Sequence, residues 1–346
     1  MERYAINGYF FTQRITGIQR YAREITMALD KIIDENEKLI IVLPEYCVLD
    51  NISLNKIEVV RYGNKKGFLW EQTDFKKYLN KYDLCPINFC NVKPLGTKPG
   101  ITVIHDLMFM LFPEYFTSIR NKASRIWHIY NANYAIRNDK YIICPSEFSK
   151  KSILDLYPNT GKKIRVISEG WQHVKKYVED DQWQKKYPFL KEKEYFFSIG
   201  TRARNKNGKW IYEVARRNPN ENFAIAGMHY DENKYNVSPN VHFLGYISDG
   251  MACSLIKNCK AFVFPSLYEG FGLPPLEALA LGCNVIVSNA ASLPEVFDDC
   301  VHYIDPYNTD VNLDELVKQS VSDREKLLQT YDWGKSAEKF KELIFS

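Results

Sequence analysis

Phe264-Pro265-Ser266-Leu267-Tyr268-Glu269-Gly270-Phe271-Gly272-Leu273-Pro274-Pro275-Leu276-Glu277-Ala278-Leu279-Ala280 reads as the end of a buried strand, a glycine-bearing turn and a helix. Proline is at home in a first helical turn, where its missing N–H costs nothing. The free amides and the dipole at such a helix mouth attract anions, phosphate above all. Gly270 and Gly272 allow the backbone to approach an anion closely. Glu269 stands in the turn and Glu277 inside the helix, both suited to accept hydrogen bonds from the vicinal hydroxyls of a ribose or hexose. Strand–Gly–Pro–helix links are common in α/β proteins, and Glu277 reads equally well as a solvated helix position.

Working outward, short apolar runs alternate with amphipathic segments. Strands are expected at Arg3–Asn7, Leu39–Leu43, Ile57–Arg61, Ile101–His105, Tyr141–Cys144 and Ile164–Ile167. Helices are expected at Gly17–Ile33, Leu69–Leu79, Ser118–Asn138 and Glu147–Leu156, the last capped by Ser146. Gly170–Glu194 lacks a period and reads as a linker with one short helix. The alternation then restarts, with strands Tyr195–Ile199, Phe223–Ala226, Val241–Leu244, Ala261–Phe264 and Val285–Val287. Helices Lys209–Arg217, Met251–Lys257 and Leu276–Leu281 lie between them, and Leu313–Leu328 and Ser336–Ile344 close the chain. Such alternation implies parallel sheets covered by helices on both faces. The expectation is two Rossmann-like α/β domains, 1–172 and 173–346, with the final helix (about 333–346) a candidate to pack back on the first. Ligands of such sheets sit beyond the carboxyl ends of the strands, which in a two-domain arrangement would face each other across a cleft.

The chain has 346 residues, enough for two domains with full cores. At 45% hydrophobic and 25% charged it is an ordinary globular composition. A net charge of +4 is too mild for a nucleic-acid binder. The eight cysteines form no C-x-x-C pair, so reduced, buried thiols in a cytoplasmic protein are expected rather than zinc ligands or disulfides. No apolar signal core opens the chain, and no uninterrupted apolar run reaches membrane-spanning length.

The separation of Glu269 and Glu277 by seven residues, in this context, resembles the E-x7-E signature of the retaining glycosyltransferases of family 4, which have the GT-B fold. Gly282-Cys283-Asn284-Val285-Ile286-Val287 and Ser292-Leu293-Pro294-Glu295-Val296 resemble the same family, and the likeness runs over nearly the whole chain. The resemblance implies that Glu269 contacts the donor sugar, that Glu277 holds the ribose, and that amides around Gly270, Phe271, Gly272 and Leu273 meet the diphosphate. Thr16-Gly17-Ile18-Gln19-Arg20-Tyr21 resembles the N-terminal glycine loop, which places Gly17 near the donor phosphates; members often carry two adjacent glycines where this chain has Thr16-Gly17. A plain helix start capped by Thr16 is the other reading.

Thr102-Val103-Ile104-His105-Asp106-Leu107, followed by Phe112-Pro113-Glu114-Tyr115-Phe116, resembles the family's "HDL…PEYF" segment and implies that His105 meets the donor sugar. A lone strand-end histidine is otherwise more often structural, and Asp106 reads as a cap. Ser198-Ile199-Gly200-Thr201-Arg202-Ala203-Arg204-Asn205-Lys206 resembles the basic turn that neutralises the donor diphosphate. Lys206 matches the family lysine, Asn205 replaces its arginine, and Arg202 or Arg204 is the candidate replacement charge. Tyr246 follows a strand where relatives hold the nucleotide base. Trp171 either lines the cleft or pins the linker.

The chain contains no D-x-D pair, so no metal or other cofactor is expected. The implied reaction moves a sugar from a nucleotide sugar donor to a glycan or lipid-linked oligosaccharide acceptor, with retention, in capsule or O-antigen synthesis. The rival readings are a catalytically silent GT-B subunit and a nucleotide-sugar epimerase or sugar phosphorylase on the same fold. Between Arg120 and Arg165, ten Lys/Arg stand against three acids. That charge reads either as a solvated face or as peripheral contact with the anionic inner face of the cell membrane.

Overall fold

The computed structural model describes residues 2–49, 52–180, 182–201, 203–227 and 237–345. The chain divides into two compact units, residues 1–169 with 332–346, and residues 170–331. The division falls three residues before the expected 172/173 cut, and the C-terminal helix is counted with the first unit.

The first unit holds seven strands: β1 (Tyr4–Asn7), β2 (Leu39–Leu43), β3 (Glu58–Arg61), β4 (Cys85–Asn88), β5 (Ile101–Val103), β6 (Tyr141–Cys144) and β7 (Ile164–Val166). They are parallel, in the order β3-β2-β1-β4-β5-β6-β7. The chain order reverses between β1 and β4, which makes the crevice beyond their carboxyl ends the topological switch point. Strand β4 was not expected, because Pro86 sits in it and proline argues against a central strand. Its pairing with β5 begins at Ile87↔Ile101, so Pro86 lies where that ladder has not yet started. Gly100 passes so close that a Cβ there would sit 2.1 Å from the Pro86 carbonyl oxygen.

The Trp333–Phe345 helix packs on the Gly17–Ile32 helix. Tyr21 meets Trp333 edge-on at 5.7 Å, and Phe340 meets Phe89 at 5.4 Å. The expected Leu69–Leu79 helix is instead a π-helical segment, Trp70–Phe75, running into an α-helix, Lys76–Tyr82.

The second unit holds β8 (Tyr195–Ile199), β9 (Asn222–Ala226), β10 (Val241–Gly245), β11 (Ala261–Phe264), β12 (Val285–Ser288) and β13 (His302–Ile304). The sheet is parallel, in the order β10-β9-β8-β11-β12-β13. Its switch point lies between β8 and β11. Strand β8 shows why a continuous apolar run forms it: Tyr195 and Phe197 enter the core on one face while Phe196 enters the core on the other. Helices cover both faces, as the alternation predicts. The three-residue edge strand β13 and the Leu293–Phe297 helix were not expected. The region expected as one helix over Leu313–Leu328 is two short ones, Leu313–Leu316 and Glu325–Thr330.

Candidate active site

In the second unit, the loops after β8 and β11 meet at the switch point. The loop after β8 closes in a single 3₁₀ turn, Arg204–Lys206, and Asn207 takes a left-handed conformation to enter the Gly208–Arg217 helix. That turn aims Lys206 at Glu269, with Nζ to Oε1 2.8 Å and the side chains 24% and 13% exposed. The ammonium also lies 4.7 Å over the Phe264 ring, a cation–π contact that holds it at the end of β11.

Asn205, where the resembled family has arginine, ties the two loops together. Its Nδ2 donates to the Tyr268 carbonyl at 3.0 Å and to Glu269 Oε1 at 3.3 Å, and its own carbonyl accepts from Leu267 N at 2.7 Å. It is buried, so it orients Glu269 and supplies no charge. Arg204 is exposed in the same turn. Arg202 lies outside the described residues.

The glycine turn is fixed from behind by Ser292, whose hydroxyl donates to the carbonyls of Glu269 (3.0 Å) and Phe271 (3.2 Å). Gly272 precedes the Leu273–Ala280 helix at φ +110°, a conformation that favours glycine, and a Cβ there would come 2.7 Å from Leu293. The helix begins three residues earlier than expected. Pro274 and Pro275 carry no N–H, so Leu273 is the first-turn residue that offers an amide, alongside those of the preceding loop. The side chain of Phe271 is not part of the site. It is buried in the core and meets Tyr331 edge-on at 5.1 Å, so only its main chain is placed to contact a ligand.

Glu277 is not a solvated helix position. Its Oε1 lies 2.6 Å from Nε2 of His173, a ring that is 1% exposed. With a carboxylate as partner, Nε2 carries the proton. His173 comes from the stretch read as linker, which forms the Gln172–Lys176 3₁₀ turn. An aperiodic segment gave no sign of it. Trp171 donates its indole N–H to the Leu328 carbonyl at 2.8 Å and so pins the linker within this unit. Tyr246 is 70% exposed beyond β10.

In the first unit, His105 is buried beyond β5. Its Nε2 lies 2.8 Å from the Phe89 carbonyl, to which it must donate, and its Nδ1 lies 3.9 Å from Glu169 Oε1. Tyr21 meets the ring edge-on at 4.9 Å. Burial outweighs the hydrogen bond to Phe89 and drops the imidazole pKa from its ordinary value to about 4, so the ring is neutral at physiological pH. The contacts shown are those of a ring that joins the loops after β4 and β5. Asp106 accepts from Met108 N at 2.8 Å, and Ser146 accepts from Ser149 N at 3.1 Å, so both serve as local caps. Gly17 opens its helix in an exposed position where a Cβ would meet nothing within 4 Å, while Gln19 accepts from Thr16 N at 3.3 Å. Among the described residues, no three His, Cys, Asp or Glu gather as metal ligands would, and no helix is long and apolar enough to cross a membrane.

Two parallel sheets of seven and six strands, each with a loop cluster at its switch point, are the architecture of the GT-B fold. Residues 179–340 match the family model described as "Glycosyl transferases group 1". Over those residues the chain is similar to the glycosyltransferases of that group. It is 26% identical over 285 residues to O-antigen chain mannosyltransferase B of Escherichia coli, a match covering 77% of this chain and 71% of that one. It is 28% identical over 240 residues to O-antigen chain mannosyltransferase RfbU of Salmonella typhimurium, covering 66% and 62%. A shorter stretch of 54 residues is 56% identical to the serotype-specific mannosyltransferase WbdA of Escherichia coli, covering 16% of this chain and 7% of that protein. Among solved structures, sucrose-phosphate synthase from Thermosynechococcus elongatus shares the fold at a TM-score of 0.71 and 16% identity, over 99% of this chain and 98% of that one. The Anabaena protein HepE, solved with UDP and glucose, aligns over 100% of both chains at 0.67 and 16%.

Proposed function

We propose that this protein transfers a hexosyl residue, mannose by the likeness to its relatives, from a nucleotide diphosphate sugar to a hydroxyl of a glycan or lipid-linked acceptor. The transfer proceeds with retention and without a metal, in the synthesis of an O-antigen or similar surface polysaccharide. The observation that carries the reading is the Lys206–Glu269 pair, held at 2.8 Å beside the mouth of the Leu273–Ala280 helix.

Negative charge grows on the leaving diphosphate as the glycosidic bond breaks. Lys206, exposed Arg204 and the amides around Gly272 and Leu273 are the groups that stabilise it. One preorganised donor of this kind is worth about 3 kcal/mol, or ~10²–10³ in kcat. Glu269 accepts from donor-sugar hydroxyls, with Asn205 and Lys206 fixing its orientation. Glu277, steadied by His173, accepts from the ribose, and Tyr246 packs against the base. His105 acts through the loops it joins or through Nδ1, since Nε2 is bound to main chain. Gly17 leaves open space for a phosphate at its helix start.

An anionic membrane surface is the proposed location of a lipid-linked acceptor. The start of the Ile119–Asn138 helix is exposed on all sides, with Ile119 88% and Ile126 65% exposed among Arg120, Lys122 and Arg125. Cosedimentation with anionic vesicles at low salt tests this, and vesicle-independent behaviour removes it.

The decisive experiment incubates the protein with a panel of nucleotide sugars and follows nucleoside diphosphate release and anomeric configuration. Turnover of one donor, abolished by Glu269→Gln without loss of fold, is the expected result. No turnover of any donor favours the silent-subunit reading, and product with inverted configuration removes retention.

A further inference from the structure

Two thiols of the second unit meet at the end of its sheet away from the Lys206 cluster. Cys259 follows the Asp249–Asn258 helix and leads into β11, and Cys283 lies beyond the Leu273–Ala280 helix and leads into β12. Both sit at the amino ends of neighbouring parallel strands, whereas the Lys206–Glu269 pair lies beyond the carboxyl end of β11. All eight cysteines of the chain are free thiols. The sulfurs of Cys259 and Cys283 are 3.3 Å apart, and both residues are buried. Each thiol has a main-chain acceptor at 3.1 Å, the Ile256 carbonyl for Cys259 and the Asn284 carbonyl for Cys283. Donated there, the two protons leave the space between the sulfurs, and lone pair faces lone pair.

The two thiols differ in access. Cys283 lines a cavity of about 210 Å³, and Cys259 does not. A cavity of that size admits molecules as small as water or hydrogen peroxide. Arg324 lines the same cavity, and a guanidinium near a thiol favours the thiolate, the form that reacts. The nearby Asp323 carboxylate is engaged with Glu325 N at 3.1 Å. Cys300, also on the cavity wall, has its Sγ 3.6 Å from the Asp323 carbonyl, and burial pushes its thiol up. Burial, and then the contact with Cys283, pushes the Cys259 thiol well above its usual range, so Cys259 stays protonated. An approachable thiol backed by a buried one is the arrangement of a peroxide-reactive pair.

We propose that Cys283 is a site of oxidation by peroxide-class oxidants and that Cys259 resolves it, giving a reversible disulfide within the second unit. The Cys283 thiolate attacks one peroxide oxygen. The S–O bond forms, the O–O bond breaks, and the departing hydroxide leaves as water with the proton the thiol gave up. The Cys259 sulfur then attacks the sulfenic sulfur of Cys283. The S–S bond forms, the S–O bond breaks, and the hydroxyl leaves as a second water with the Cys259 proton. The two thiols lose two electrons, and the peroxide gains them. The sulfurs must close to about 2 Å, and Gly282, exposed beside Cys283 at φ +84°, belongs to the turn that absorbs the shift. The bond joins positions 24 apart, so it braces the amino ends of β11 and β12 and leaves the groups at their carboxyl ends untouched. The inference uses residues of the second unit alone and stands apart from the transferase reading.

The test treats the full chain with hydrogen peroxide, unfolds it in alkylating reagent without reductant, and maps the peptides by mass. A cross-link between Cys259 and Cys283 with loss of two hydrogens is expected, reversed by dithiothreitol. Tm should rise by roughly 5 °C in the cross-linked chain, because a loop is closed in the unfolded state. Cys259→Ala should stop at a sulfenic acid on Cys283 that dimedone captures. Cys283→Ala should leave Cys259 unmodified at the same dose, and Cys300→Ala should cross-link as the parent does. A Cys283–Cys300 bond, a cross-link between chains, oxidation spread evenly over the eight thiols, or a parent chain that keeps all its thiols under excess peroxide overturns the proposal. A cross-linked chain that melts no higher than the reduced one overturns the bracing role.

Discussion

Removing the Lys206 ammonium separates its observed contact with Glu269 from its proposed role as counter-charge for the diphosphate. The pair is 2.8 Å apart and three-quarters or more buried on each side. At an effective dielectric near 20, unit charges ~4 Å apart interact by about 4 kcal/mol before desolvation is subtracted. In Lys206→Ala, Glu269 keeps the Asn205 amide at 3.3 Å, so the net stability loss is set at about 1 kcal/mol, or ~2–4 °C in Tm for a unit of this size. On the proposed function the expected loss in catalysis is larger, because the charge Lys206 would answer develops only as the bond breaks. About 3 kcal/mol off transition-state stabilisation is roughly a hundredfold in kcat. The assay is initial-rate transfer at saturating donor, with thermal melts in parallel. The double variant Lys206→Ala/Glu269→Gln should be less impaired than the product of the single effects, since the two side chains act as a unit. A kcat within threefold of the parent, together with the lowered Tm, would show that Lys206 only holds Glu269 in place, and would move the charge role to Arg204.

Three further outcomes are expected. His173→Ala removes the 2.6 Å donor to Glu277 and should weaken nucleoside diphosphate binding about tenfold by calorimetry, roughly one hydrogen bond to a charged group, with His173→Gln restoring part of it; unchanged affinity in both excludes Glu277 from the nucleotide site. Gly272→Ala combines a left-handed backbone with a 2.7 Å approach to Leu293 and should cost about 2–5 kcal/mol in urea unfolding; a cost under about 1 kcal/mol means the turn relaxes freely.

The third outcome concerns pH. His105 titrates at about 4 when folded and near 6.5 when unfolded. Between those values the unfolded chain binds the extra proton, so stability is full above ~6.5 and falls as the pH drops through this window. This residue alone should account for about 2 kcal/mol of loss at pH 5 relative to pH 7. His105→Gln should flatten that slope by the same amount, and parallel slopes for parent and variant would refute the burial argument.

Much of the fold was legible because its signals are local. A strand buried on both faces is a continuous apolar run, and a crossover helix has its own period, so β8 and the Gly17–Ile32 helix stand out in the primary sequence. Strand β4 did not, since Pro86 breaks the pattern, and its place beside β1 depends on pairing partners some eighty residues apart, as in Tyr4↔Cys85. The π-helical turn that carries Glu71 looks like ordinary helix by periodicity.

The glycine turn was readable because the backbone at Gly272 favours glycine, whereas Glu269, Glu277 and Lys206 stood out through the likeness of their spacing and context to the resembled family. Tertiary structure alone decided their partners. His173 reaches Glu277 across 104 positions and Asn205 reaches Glu269 across 64. Phe271 turned into the core, and an aperiodic linker supplied a buried imidazole. Hydrogen bonds and burial act through space and leave no period in the sequence. What residues 264–280 determined by themselves was a strand, a glycine turn and a helix mouth flanked by two carboxylates, and only the folded chain gave those carboxylates their partners.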